Sequence, residues 1–277
     1  MRRKTRRFGP AWEGWDGYRR FAETVKADLR YVRSKDGNDF LRTVLATYRS
    51  RKLIIRQEHT YWRARLGFEH EEVTKKLTDR IVPYAPSGMK PVSNWLSEGR
   101  VNPRGIPSLY LASTRNTALA EVRPWIGSRI SVAEFRIQRN LNVIDCSKHH
   151  SLKSVHGLFV DQTRTREDGI SAAIDRAFDT PVSKDDQTRD YIPTQIVAEL
   201  FKSEGFDGIL YKSLLSKDGF NLALFNLEDA SVGDRVLCVT SSIGFKFEEI
   251  GHSEHWTEEG AESNSDLPRA GVPAQRP

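Results

Sequence analysis

The sequence predicts an α+β fold: two amphipathic helices in front, then short strands interrupted by single helices, then a polar tail. Three observations carry this reading. Apolar residues recur at helical spacing between Tyr18 and Tyr48, and from Thr60 onward the period shortens to that of strands. The helices that follow are too irregularly spaced for a repeating βα unit, which disfavours a doubly wound parallel sheet.

The elements follow in order. Residues 1–17 are rich in Arg, Gly and Trp and show no periodicity, so they read as irregular. Phe21, Val25 and Leu29 recur every four residues and predict a helix over 18–32. Phe40, Leu41, Val44, Leu45 and Tyr48 make one stripe of a second helix, with Asn38 or Asp39 as its cap. In "TYWRARLG" (60–67), Trp62 and Ala64 alternate with Arg63 and Arg65, as in a half-buried strand. Residues 83–107 hold five prolines and three glycines and read as loop. "SLYLAS" is a short strand, and "NTALAEV" a helix capped by Asn116 or Thr117. A strand "LNVIDC" (141–146) precedes a polar stretch to about 190. The helix "TQIVAELFKSEG" follows, ended by Gly205. Strands "GILYKS" and "NLALFN" are joined by a turn containing Gly219. From about 251 the chain is poor in apolar residues and reads as disordered. The domains expected are a basic helical extension (1–55), a main domain (56–250) and a tail (251–277).

Composition narrows the classes. Of 277 residues, 38% are hydrophobic and 29% charged, which allows a core of ordinary size. No apolar run approaches the roughly 18 residues that cross a bilayer, and the basic start lacks an apolar h-region. Two cysteines, Cys146 and Cys238, make no disulfide framework. A cytoplasmic protein without membrane contact is expected. The net charge of +6 is uneven: residues 1–80 carry 21 Lys/Arg against 11 Asp/Glu. Such a front end, above all residues 1–7, is a solvated arginine-rich surface or a contact for nucleic acid.

No phosphate-binding loop, dinucleotide fingerprint, zinc-protease helix or nucleophile elbow is present. Cys146 with His149 and His150 lacks a second ligand pair, so no metal is expected. The stretch "GRVNPRGIPSLYLASTRNTALAEV" (99–122) is chemically coherent instead. Gly99 and Gly105 permit close backbone approach, and Asn102 with Pro103 enforces a turn. Arg100 in that bend suits bidentate capture of phosphate. Tyr110 lies on a strand whose Leu109 and Leu111 point the other way, leaving its ring to face a cleft. Glu121 lies on a helix made otherwise of small and apolar residues.

These residues resemble the core of the RES domain, a family named for its arginine, glutamate and serine. "YIPTQIVAELFKSEGFDGILYKSLLSKDGFNLALF" (191–225) is similar to the family's closing helix, strand and turn. The resemblance spans roughly 60–226 and assigns Arg100, Glu121 and Ser213 to the three naming positions, with Tyr110 as the tyrosine of the "LY" strand. Arg63 and Arg65 become candidates for a further phosphate-binding arginine. Asn102, Tyr191, Gln195 and Asn221 are candidates for ligand contact, although Asn221 equally suits the turn at Gly219 and Gln195 an exposed helix position. Trp125 reads as core or lid. The resemblance implies a fold like that of ADP-ribosyltransferases, a split, mostly antiparallel pair of small sheets around an NAD cleft. It also implies a toxin that destroys NAD by hydrolysis or phosphorolysis, with NAD and phosphate as substrates, no prosthetic group, and an antitoxin as partner. Transfer of ADP-ribose to a macromolecule is the alternative. A nucleic-acid module using the basic front end is the third reading. The helical front end departs from the family's shorter pattern.

Overall fold

Helical periodicity begins earlier than the apolar stripe announces. In the computed structural model, which describes residues 10–72, 79–91, 98–148, 165–180 and 188–244, helix α1 runs Pro10–Ala27 rather than from residue 18. Proline starts it, since the first turn has no use for its missing N–H. Helix α2 (Lys35–Tyr48) is capped by Ser34, whose side chain accepts the Gly37 N–H, and not by Asn38 or Asp39. Both helices turn their apolar stripes inward: Phe21, Val25, Phe40, Leu41, Val44 and Tyr48 are all buried.

Their partners are α5 (Arg166–Asp179) and α6 (Ile192–Ser203). Helix α5 corrects the polar stretch expected up to residue 190. It opens with a capping box between Thr165 and Asp168, and Ile170, Ile174 and Phe178 recur along its buried face. Gly14 lets α1 approach α5 closely, because a Cβ there would run into the Arg166 carbonyl. One hydrophobic cluster joins all four helices to the sheet through Ile144, Ile209, Tyr211 and Ala223. The extension expected over residues 1–55 therefore shares a core with the segment that follows it.

The sheet has eight strands: β1 (Lys52–Ile55), β2 (Thr60–Leu66), β5 (Leu109–Ala112), β6 (Arg129–Ile137), β7 (Leu141–Cys146), β8 (Gly208–Lys212), β9 (Phe220–Leu224) and β10 (Ala230–Val239). Their order is β1-β7-β8-β9-β5-β2-β6-β10. All neighbours are antiparallel except β7 and β8. A separate hairpin pairs β3 (Glu69–Glu72) with β4 (Asp79–Val82). The other face of the large sheet is covered by a second cluster that includes Tyr61, Leu109, Leu111, Phe135 and Met89, the last from the short helix α3 (Pro86–Met89).

The two small sheets expected are one sheet with a narrow seam. Strands β2 and β5 are paired at a single position, Trp62 opposite Ala112, whereas β2 and β6 pair from Thr60 to Leu66. The chain divides into compact units Met1–Ser242 and Ile243–Pro277, and of the second only residues 243 and 244 are described. The tail read as disordered and the basic residues 1–7 lie outside the described residues, as do His149 and His150. Among the described residues no cluster of His, Cys, Asp and Glu is arranged to hold a metal, and Cys146 is a core residue. No described helix is long and apolar enough to cross a membrane.

Candidate active site

The seam opens into a cleft. Where β2 and β5 part, Trp62, Arg63 and Ala64 form one wall and Tyr110, Leu111 and Ala112 the other. Helix α4 (Arg115–Glu121) lies across the gap with Ala118, Glu121 and Val122, and Tyr211 and Asn221 complete the lining. The volume is ≈ 290 Å³. Short side chains on α4 are what the geometry needs, because a larger residue at Ala118 would fill the opening.

Helix α4 is capped by Thr114, two or three residues before the expected caps, and its helical turns end at Glu121. That places the carboxylate at the cleft rim, exposed to solvent on one side. Two side chains from distant segments fix it. The Ser213 hydroxyl donates to Glu121 Oε1 at 2.6 Å, and Asn221 Nδ2 donates to the same oxygen at 2.7 Å. Both donors are buried, so the carboxylate is held by charge-assisted hydrogen bonds rather than by the flexible reach of an exposed glutamate. Glu121 Oε2 receives neither donor. Asn221, read from the sequence as a ligand contact or a turn residue, lines the cleft and holds the carboxylate instead.

Arg63 is the arginine of the cleft. Its Nη1 donates to the Tyr110 carbonyl at 2.8 Å, and its buried Nε has no hydrogen-bond partner. Burial, with the charge of Arg65 nearby, lowers the guanidinium to about 10, so it stays cationic at neutral pH. An arginine that spans the seam and keeps a buried donor in reserve suits an anionic ligand. Arg65 does not line the cleft. It is exposed, donates to the Gly88 carbonyl and stacks over the Tyr84 ring at 4.7 Å.

The other expected residues form a frame beside the cleft. Tyr110 offers its ring to the lining, and its hydroxyl donates to Asn102 Oδ1 at 2.7 Å and accepts the Val101 N–H at 3.0 Å. Burial pushes that phenol well above its ordinary range, so the hydroxyl keeps its proton. Gln195 Nε2 donates to the carbonyls of Gly99 and Asn102, at 2.9 and 3.1 Å. Asn102 and Gln195 thus fasten the turn that carries Arg100, and neither lines the cleft. Gly99 is needed for packing rather than for a ligand's approach: a Cβ there would collide with the Tyr110 hydroxyl. Tyr191 precedes the first turn of α6 outside the lining.

Arg100 itself turns to the end of α5. Its Nη1 donates to the carbonyls of Phe178 and Asp179, and its guanidinium lies 5.8 Å from the centre of the Tyr211 ring. It is therefore not part of the cleft lining, although it lies beside Tyr211, which is. Trp62 and Tyr211 are the lining aromatics that sequence reasoning does not single out. Tyr211 has a sequence signal, lying two residues before Ser213 and so on the same side of a strand. Trp125 is neither core nor wall: it is 62% exposed, in the loop just after α4.

No curated protein matches the chain. Among solved structures, one from M. tuberculosis, described as a crystal structure of the MbcT–MbcA toxin–antitoxin complex, aligns at 13% identity and a TM-score of 0.39, covering 71% of this chain and 92% of that one. The RES domain matches residues 60–247, a segment that contains the whole lining of the cleft and both donors to Glu121, and the chain belongs to the RES domain family.

Proposed function

We propose that this protein cleaves the bond between nicotinamide and ribose in NAD. The observation that carries the reading is the Glu121 carboxylate, fixed by Ser213 and Asn221 at the rim of a cleft walled by Arg63, Trp62, Tyr110 and Tyr211. The narrow seam between β2 and β5 fits the split of an ADP-ribosyltransferase-like sheet.

Nicotinamide in NAD is a pyridinium cation. When the C–N bond breaks, its electron pair returns to the ring nitrogen and the leaving group departs neutral, so no acid is needed. The cost lies in the oxocarbenium character that develops on the ribose. A preorganised carboxylate stabilises that charge and accepts the ribose hydroxyls without reorganising at the moment of reaction. Arg63, with its reserve donor, neutralises the pyrophosphate and fixes it. The aromatic walls take the flat ring. Arg100, engaged with the carbonyls at the end of α5 and beside the Tyr211 ring, supports the cleft rather than reaching the phosphates itself. Water at the anomeric carbon gives hydrolysis, and phosphate gives phosphorolysis. In the cell such an activity is that of a toxin, which calls for an antitoxin to restrain it.

Transfer to a macromolecule is favoured by a different observation. Ile126 and Leu214, 66% and 55% exposed, follow Glu121 and Ser213 closely and put apolar surface beside the rim.

The deciding assay incubates the full chain with NAD labelled in the ADP-ribose moiety, with and without phosphate, beside Glu121→Gln. Nicotinamide release that falls at least about a hundredfold in the variant supports glycosidic cleavage. Label on protein or nucleic acid selects transfer. Release unchanged by Glu121→Gln, or none of these products from folded protein, rejects the proposal.

A further inference from the structure

Two polar positions, Arg100 outside the cleft lining and Ser213 at the Glu121 carboxylate, are tied to one place, the C-terminal end of α5. Arg100 donates to the last carbonyls of that helix. On the other side, the buried side chain of Asp179, the last residue of α5, accepts the backbone N–H of Lys212 through Oδ1 at 3.1 Å. Lys212 ends β8, and Ser213 follows it. The Ser213 N–H donates to the Gly219 carbonyl at 3.0 Å, its hydroxyl accepts the Leu215 N–H at 3.3 Å, and the same hydroxyl donates to Glu121.

An acid is a costly residue at that position. Asp179 is 4% exposed, sits at the negative end of a helix, and lies one turn from Asp175, which is wholly buried. Asp175 is matched: Arg51 donates to both its oxygens, at 2.9 and 2.7 Å, and Tyr48 adds a third donor. Asp179 faces Arg100 and Lys212, both already engaged, one with carbonyls and the other over the Phe220 ring. A residue so placed against local preference marks a site where another requirement prevails.

We propose that Asp179 is a positioning residue for the candidate site: through the Lys212 N–H it fixes the end of β8, and with it the reach of Ser213 to the Glu121 carboxylate. Its surroundings explain why it stays in place. Helix α5 is locked by the Arg51–Asp175 pair, which lies 124 residues apart in sequence and joins the helical front end to the catalytic segment. Positioning of this kind acts on the transition state and leaves ground-state binding largely alone.

The kinetic arm rests on the cleavage of NAD proposed above, so the test has a second readout that does not. In the full chain, Asp179→Ala and Asp179→Asn are compared for nicotinamide release and for hydrogen exchange at the Lys212 amide. Alanine removes the acceptor, whereas asparagine keeps an oxygen in the same place. Asp179→Ala is expected to speed exchange at Lys212 at least about tenfold and lower kcat at least about tenfold, with KM within about threefold. Asp179→Asn is expected to keep both near the wild type. Unchanged exchange in Asp179→Ala overturns the proposal, as does a folded Asp179→Asn whose kcat falls as far as that of alanine. If Asp179→Ala does not fold, Asp179→Asn decides by the same criteria. If the wild type releases no nicotinamide, the proposed function fails, and exchange at Lys212 still judges Asp179.

Discussion

Replacing Asp179 with asparagine should stabilise the protein, and only above acidic pH. Burial, then the neighbouring Asp175, raises the Asp179 carboxyl from its ordinary 3.8 to about 7, against the opposing pull of the Lys212 N–H, Arg100 and Lys212. A carboxyl that binds its proton more tightly when folded loses stability as pH rises from about 4 to about 7, because ionisation is cheaper in the unfolded chain. At ~1.4 kcal/mol per pH unit, that interval sets a ceiling of about 4 kcal/mol. Asparagine mimics the neutral acid and accepts the same N–H. Urea unfolding at pH 8 should therefore show Asp179→Asn more stable by roughly 2–4 kcal/mol, shrinking below about 1 kcal/mol near pH 4. Comparison at equal pH cancels the other carboxylates. A gain independent of pH, or a loss at pH 8, would refute the reasoning and mean that ionised Asp179 is favourable through Arg100 and Lys212.

Three further outcomes follow from the same contacts. Arg51→Met should cost about 3–5 kcal/mol in urea unfolding by removing the cation that pairs with the buried Asp175 charge, and the double variant with Asp175→Leu should recover most of that loss. Asn221→Ala should lower kcat for nicotinamide release about 10- to 100-fold, the equivalent of one charge-assisted hydrogen bond of ~1.5–3 kcal/mol, while Ser213 still holds Glu121. Thr165→Ala should lower stability by about 1 kcal/mol through loss of the capping box on α5, read as a fall in the urea midpoint at an unchanged slope.

What could be read in advance was what is local. The strand at 60–66, the "LY" strand, the helix of Glu121 and the closing helix all carry their periodicity within a few residues, and the structure has them. The hydrogen bond of Ser213 to Glu121 carries no local signal, because it joins positions 92 residues apart. Helix α5 was missed for a physical reason. Beside Ile170, Ile174 and Phe178 it buries Asp175 and Asp179, and acids in such a polar stretch read as solvent-facing unless Arg51 and the Lys212 N–H are known to meet them. Strand β6 was missed too: Ile130–Ala133 is buried without a break, Ser131 among them, and apolar and charged residues alternate only from Ala133 to Ile137. Arg100 teaches the opposite lesson. Its residue type fits phosphate, yet its guanidinium closes the open carbonyls of a helix end, a demand that the sequence around it does not announce.

The helical front end lies before the segment matched by the family, which raises the question of whether it restrains an otherwise complete domain. The packing argues against a removable cover. Deleting residues 1–55 would strip Phe21, Val25, Phe40, Leu41, Val44 and Tyr48 from the shared cluster, take β1 from the edge of β7 and remove Arg51 from Asp175. At ~1.5–3 kcal/mol per buried side chain, the six apolar losses alone come to roughly 9–18 kcal/mol, as much as the whole stability of a typical domain. The shortened chain should therefore fail to unfold cooperatively in circular dichroism, and activity should be lost rather than released. A segment 56–277 that melts cooperatively near the temperature of the full chain would overturn this reading. Raised nicotinamide release from such a segment would further assign the front end to restraint rather than support.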